Sequence, residues 1–200
     1  MRAKIQDFWS WFIENEAEFR NVKDREQAIE RMDNQILAFG RFAWGIDTGR
    51  EKPFALVLSP NNDPDLLDIS RDIMDEAPDL KNWEFYPARL RLHDWDFKLE
   101  VYNRWMSKQT YDVRRWEFVL IEEDDYRVSV EIVIPNMNDV DAEDQQVAAS
   151  RVVNLLLGEE LRIEEVHRIR VVDDFDPQDE DWIYPMVEFR DRFLDFIEED

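Results

Sequence analysis

Two hundred residues with a mass of 24.3 kDa carry 26 Trp, Tyr and Phe but only four Gly, a composition suited to burying aromatic rings rather than to disorder. Twenty-five Lys plus Arg face 48 Asp plus Glu, and the formal charge of −23 excludes a general nucleic-acid binder and disfavours an anionic membrane surface, since both draw on cationic side chains. The absence of Cys removes disulfides, thiolate metal sites and cysteine nucleophiles, and fits a reducing compartment.

In chain order, Ile5, Phe8, Trp9, Phe12, Ile13 and Phe19 recur at helical spacing and predict an opening amphipathic helix. Glu14 and Glu16 interrupt that stretch, and no apolar run reaches the ~18 residues of a membrane span, so a soluble, cytoplasmic chain is expected. Asp24 followed by Gln27 suggests a capping box for a second helix bearing Ile29 and Met32. The 36–46 stretch, the turn at Asp47-Thr48-Gly49-Arg50 and the run Phe54-Ala55-Leu56-Val57-Leu58 read as a hairpin. Asn62 or Asp63 then caps a helix with Pro64 in its first turn, Pro78 stops it, and Trp83 to Leu92 is expected as a strand.

The same plan recurs. Trp116 to Ile121 and Val128 to Ile134 read as strands around a charged turn, a helix runs from Asp139 to Gly158, and Val166 to Val172 is a closing strand. Leu58-Ser59-Pro60-Asn61-Asn62-Asp63 echoes Val133-Ile134-Pro135-Asn136-Met137-Asn138, and Arg89-Leu90-Arg91-Leu92 echoes Arg168-Ile169-Arg170-Val171. The expectation is a single α+β domain over 1–200. It contains two strand-strand-helix-strand pseudo-repeats, about 36–92 and 116–172, sharing one antiparallel or mixed sheet. A joint at about 93–115 carries one extra strand around Phe97, Leu99 and Val101, followed by a polar connection from Asn103 to Thr110. Residues 173–200 hold 12 acids against two Arg, yet Met186, Phe189, Phe193, Phe196 and Ile197 should dock one face of a closing acidic helix.

Candidate chemistry is sparse. Acids are so frequent that Asp63-Pro64-Asp65 has no weight as a catalytic pair and reads as a helix cap. His93 and His167 form no zinc pattern, and the acidic run from Asp173 to Asp181 lacks the central Gly and terminal Glu of a calcium loop. No phosphate loop or nucleophile elbow is present, and no cofactor is expected. Arg89 and Arg91, and Arg168 and Arg170, would each share a strand face and suit an anionic ligand; the competing reading has them pair with Glu84, Glu131 or Glu165 on neighbouring strands. Of the eight Trp, Trp95 and Trp105 lie between polar neighbours in the joint and are the candidates for a protein interface.

Three stretches, Trp11-Phe12-Ile13-Glu14-Asn15-Glu16, Ala77-Pro78-Asp79-Leu80-Lys81-Asn82-Trp83-Glu84-Phe85 and Leu155-Leu156-Leu157-Gly158-Glu159, resemble an uncharacterised bacterial family of small acidic proteins. The resemblance implies an α+β body and supplies no activity and no site residue. The expected function is an acidic cytoplasmic protein-binding module of immunity or adaptor type, with a basic protein as partner, rather than an enzyme. The alternative is a small anionic-ligand binder or enzyme using the arginine face, with Glu84 or Glu131 as acid or base. A DNA-mimicking inhibitor would need its carboxylates ranked along one face.

Overall fold

In the computed structural model, which describes residues 1–20, 25–102 and 108–198, the backbone divides into two units, Met1–Arg89 and Leu90–Asp200. The fold class is α+β, and among the described residues no helix is long and apolar enough to cross a membrane.

The first unit opens with helix α1 (Arg2–Phe19), which buries Ile5, Phe8, Trp9, Phe12 and Phe19, and continues with α2 (Arg25–Leu37), which buries Ala28, Met32 and Ile36 at four-residue spacing. Strands β1 (Ala43–Asp47) and β2 (Phe54–Ser59) pair antiparallel, placing Trp44 opposite Leu58 and Ile46 opposite Leu56. Helix α3 (Pro64–Asp75) then leads to β3 (Trp83–Tyr86), which lies parallel to β2 on its other side. The Asp63 carboxylate accepts the N–H groups of Asp65 and Leu66, and Pro64 occupies a first-turn position where a missing N–H costs nothing. β2 is the middle strand and is buried from Ala55 to Ser59, which explains its unbroken apolar run. Phe12 is fully buried, stacked on Phe19 and edge-on to Trp9, Trp83 and Phe85. The indole N–H groups are satisfied: Trp9 donates to the Ile73 carbonyl at 2.8 Å and Trp83 to Glu16.

The second unit begins with the hairpin of β4 (Lys98–Tyr102) and β5 (Lys108–Asp112). β6 (Glu117–Glu122) and β7 (Val128–Val133) pair antiparallel. Helices α4 (Ala142–Leu157) and α5 (Glu159–Glu165) carry the chain to β8 (Val166–Val171), parallel to β7. A two-residue strand β9 (Tyr184–Pro185) adds to the other side of β6, and helix α6 (Phe189–Glu198) follows. Gly158 separates α4 from α5 at φ +88° and ψ 157°, a backbone region reserved essentially for Gly. Trp116, Phe118, Val130, Ile132, Val152 and Phe189 form the centre of this core, and α6 docks through Phe189 and Phe193. The Trp116 indole donates to Asn136 Oδ1 at 2.8 Å, and Asn136 donates to the Asp112 carbonyl at 3.0 Å.

The order strand, strand, helix, strand therefore occurs in each unit, with an antiparallel pair first and a parallel pair second. The strands do not share one sheet. Among the described residues they form three: β1-β2-β3, β4-β5 and β8-β7-β6-β9. The strand expected from Trp83 to Leu92 ends at Tyr86, because Pro87 has no N–H to continue a ladder, and the Pro87 carbonyl instead accepts the buried Ser70 hydroxyl at 2.7 Å. β5 takes up Lys108 to Thr110 of the expected polar connection, and α5 follows Gly158 where only a helix end was expected.

Phe12→Ala is expected to lower stability by about 3–5 kcal/mol through the cavity left among five aromatic rings, read as a fall in urea midpoint. A loss below about 1 kcal/mol would show that this cluster does not anchor the first unit.

Candidate functional site

The four arginines singled out by the sequence fall in different settings. Arg89 lies in the first unit beyond the end of β3, whereas Arg91, Arg168 and Arg170 belong to the second. Only Arg168 and Arg170 stand on a strand, β8, and both are exposed. Arg170 is opposite Glu131 in the β7–β8 register and donates to its carboxylate at 2.5 Å, the cross-strand pairing of the competing reading. Arg168 is opposite Ser129, next to a register irregularity that leaves His167 without a partner position; the His167 ring lies 3.1 Å from Arg127. Arg91 lies close enough to Arg190 to reinforce the effect of burial, which pushes the Arg190 guanidinium down from its ordinary value. Arg190 reaches toward the last carbonyls of α4, at 3.4 Å from that of Leu157.

Glu84 has a structural setting that its sequence position did not reveal. Its carboxylate accepts the backbone N–H of Arg50 at 2.9 Å, those of Glu51 and Lys52, and the Tyr86 hydroxyl. Partial desolvation pushes this carboxyl up, but the Tyr86 hydroxyl and the three N–H groups outweigh it and hold the group at about 2. Tyr86 moves the opposite way, to about 12, through desolvation and the adjacent Glu84 charge. Gly49 is required beside this clamp, because a Cβ there would run into the Lys52 carbonyl and the Glu84 carboxyl carbon. Three of these four hydrogen bonds tie down the β1–β2 loop and the fourth comes from Tyr86 on the same strand, so the arrangement fixes a loop rather than offering an acid or base to a substrate.

Grooves open to solvent occur in both units. In the first unit a groove of about 440 Å³ is lined by Phe19, Ala28, Ile29, Phe42, Trp44 and Ile46, with Glu18 and Asp33. Both of its carboxylates are engaged: Glu18 pairs with Arg31, and Asp33 accepts the Trp44 indole N–H at 2.6 Å. Gly45, on the edge strand β1, faces open space where a side chain would stand. In the second unit a groove of about 350 Å³ is lined by Leu120, Tyr184 and Phe196, by Trp182, and by Asp179, Asp195 and Arg192. The Arg192 guanidinium stacks 4.2 Å from the centre of the Tyr184 ring, and its charge is met by Glu188 at 2.9 Å.

The interface candidates divide in the same uneven way. Trp95 stacks on Phe97, donates its indole N–H to the Lys98 carbonyl at 3.2 Å and packs against the second core. Trp105 lies outside the described residues. The tryptophan that stands out is Trp182, 62% exposed. The polar-neighbour argument that selected Trp95 applies equally to it, since Glu180 and Asp181 precede it in an acidic segment.

Among the described residues no group of three or more His, Asp or Glu side chains converges as a metal ion requires. Comparison of the chain with protein-family models, with curated proteins and with solved structures finds no match.

Glu84 sets a pH expectation. Its carboxyl in the folded protein lies below the ordinary 4.5, so its contribution is complete above that value and is lost as pH falls toward about 2. Urea midpoints of wild type and Glu84→Gln should differ at pH 6 and converge across that window; a constant difference from pH 6 to pH 2.5 would contradict the clamp.

Proposed function

We propose that the chain is an acidic protein-binding module of immunity or adaptor type, drawn onto a basic partner protein in the cytoplasm by its negative field. The observation that carries this reading is the distribution of charge. Residues 90–200 contain 30 Asp and Glu against 13 Lys and Arg, so at least 17 carboxylates there have no basic residue of their own in that segment. A surplus of one sign raises the encounter rate with the opposite sign and is screened over about 8 Å at physiological salt. The recurrence of strand, strand, helix, strand, with the Pro60-Asn61 and Pro135-Asn136 echoes directly after the second strand of each set, supports reading 36–92 and 116–172 as copies of one ancestral unit.

A second reading, a small anionic ligand held by arginines, draws support from Arg162. Its Nε is buried with no hydrogen-bond partner among the described residues, and burial pushes its guanidinium down despite the nearby Glu159. Arg127 lies close enough to add to that effect.

Affinity capture at about 50 mM salt is expected to recover a positively charged protein that is released at about 500 mM; recovery of none at low salt overturns the module. Thermal melting with inorganic phosphate or citrate at constant ionic strength separates the two readings. The module predicts no change in Tm, and a concentration-dependent rise would favour the anion site.

A further inference from the structure

We propose that the groove beside Trp182 is the docking site for a Lys or Arg side chain carried on an extended basic segment of the partner protein; this rests on the acidic-module reading and gives it an address. The groove has two chemical halves. Leu120, Tyr184 and Phe196 supply apolar and aromatic surface, and Trp182 adds an indole that is 62% exposed instead of being packed away. An exposed indole face is the strongest of the aromatic side-chain sites for a cation, because the ring quadrupole is negative over its centre.

The second half is charge. Three ionisable side chains of fixed sign line the groove, and Arg192, the one cation, is already neutralised by Glu188 through contacts at 2.9 and 3.0 Å. Asp179 and Asp195 have no side-chain hydrogen bond or ion pair among the described residues, so the uncompensated charge of the groove is negative. An occupant that satisfies both halves has a cationic head and an apolar stem, which describes Lys and Arg side chains. An anion would meet two carboxylates. A purely apolar side chain would desolvate them without compensation.

The sheet edge decides between a free amine and a protein segment. β9 pairs only with Glu117 and Phe118 of β6 and then ends. Among the described residues Val119 to Glu122 have no strand neighbour on that side; the 3-10 turn Pro177–Trp182, which carries Asp179 and Trp182, packs against β6 there, and Leu120 lines the groove. An extended chain that crosses the groove past this turn would add main-chain hydrogen bonds along the Ile121–Glu122 end of β6, while its side chains alternate toward and away from the groove. The negative surplus of residues 90–200 would bring a basic segment to this face.

The test uses the full chain and a fluorescein-labelled peptide of alternating Lys and Val, followed by anisotropy at about 50 mM salt. Wild type is expected to bind it, and both Trp182→Ala and the double variant Asp179→Asn/Asp195→Asn are expected to bind about tenfold more weakly. The double variant Asp94→Asn/Glu143→Gln removes the same charge at residues that neither line the groove nor flank the end of β6, and should bind as wild type does. Thermal melts verify that every variant is folded, and Trp182 is exposed enough that its loss leaves the core intact. Hydrogen exchange should slow at 121–122 when the peptide is bound. If the groove variants bind as wild type, or fall no further than the control, the groove is overturned while the acidic module survives. If n-butylamine displaces the peptide completely at equal concentration, the site takes a small amine and the protein-segment proposal fails. If wild type ignores the peptide at low salt, the groove and the module fall together.

Discussion

Each unit depends on one middle strand that is buried over most of its length. β2 in the first and β7 in the second hold an antiparallel neighbour on one edge and a parallel neighbour on the other. A parallel neighbour needs a crossover, so α3 in one case and α4 with α5 in the other must cover the sheet before the third strand can pair. The position of almost every other element follows. Loops, caps and the terminal helix α6 are arranged around these two strands, and the aromatic residues fill the space between sheet and helices.

Against that apolar framework, charge is handled locally. Arg170 meets Glu131, Arg127 meets Asp125, Arg114 meets Asp112, and Arg192 meets Glu188; these exposed pairs contribute little to stability. They consume cations, however, and in residues 90–200 the cations run out first. What remains is a carboxylate surface whose self-repulsion opposes compactness and which a basic molecule would relieve. Glu84 shows the contrasting use of an acid. Its charge is met by backbone N–H groups and by a hydroxyl rather than by a cation, so it locks a loop and contributes no binding surface.

Much of this was legible in the sequence where pattern and burial coincide. The run Phe54 to Leu58, the stripe from Ile5 to Phe19 and the Asp63-Pro64 cap each announce an element whose local preference and tertiary role agree. The failures have separate physical causes. Lys108 to Thr110 reads as polar linker because the exposed part of a strand in a two-stranded hairpin needs no apolar alternation. The stretch after Tyr86 looks like strand until the missing N–H of Pro87 is counted. Separate sheets instead of a shared one are a matter of long-range pairing, to which local pattern is blind. The Arg face suffered from the same blindness, since alternation on a strand shows which residues share a side but not that Glu131 waits opposite Arg170. Trp182 escapes the sequence for a different reason: local pattern does not separate an indole left at the surface from one buried in the core.

Gly158 carries an evolutionary consequence. It is buried, and its torsions admit no residue with a Cβ without strain, so the joint between α4 and α5 cannot drift as the acidic exterior can. Descendants of this chain are free to redraw their pattern of carboxylates, and with it their choice of companion. The single unsubstituted carbon at that bend is the inheritance they must share.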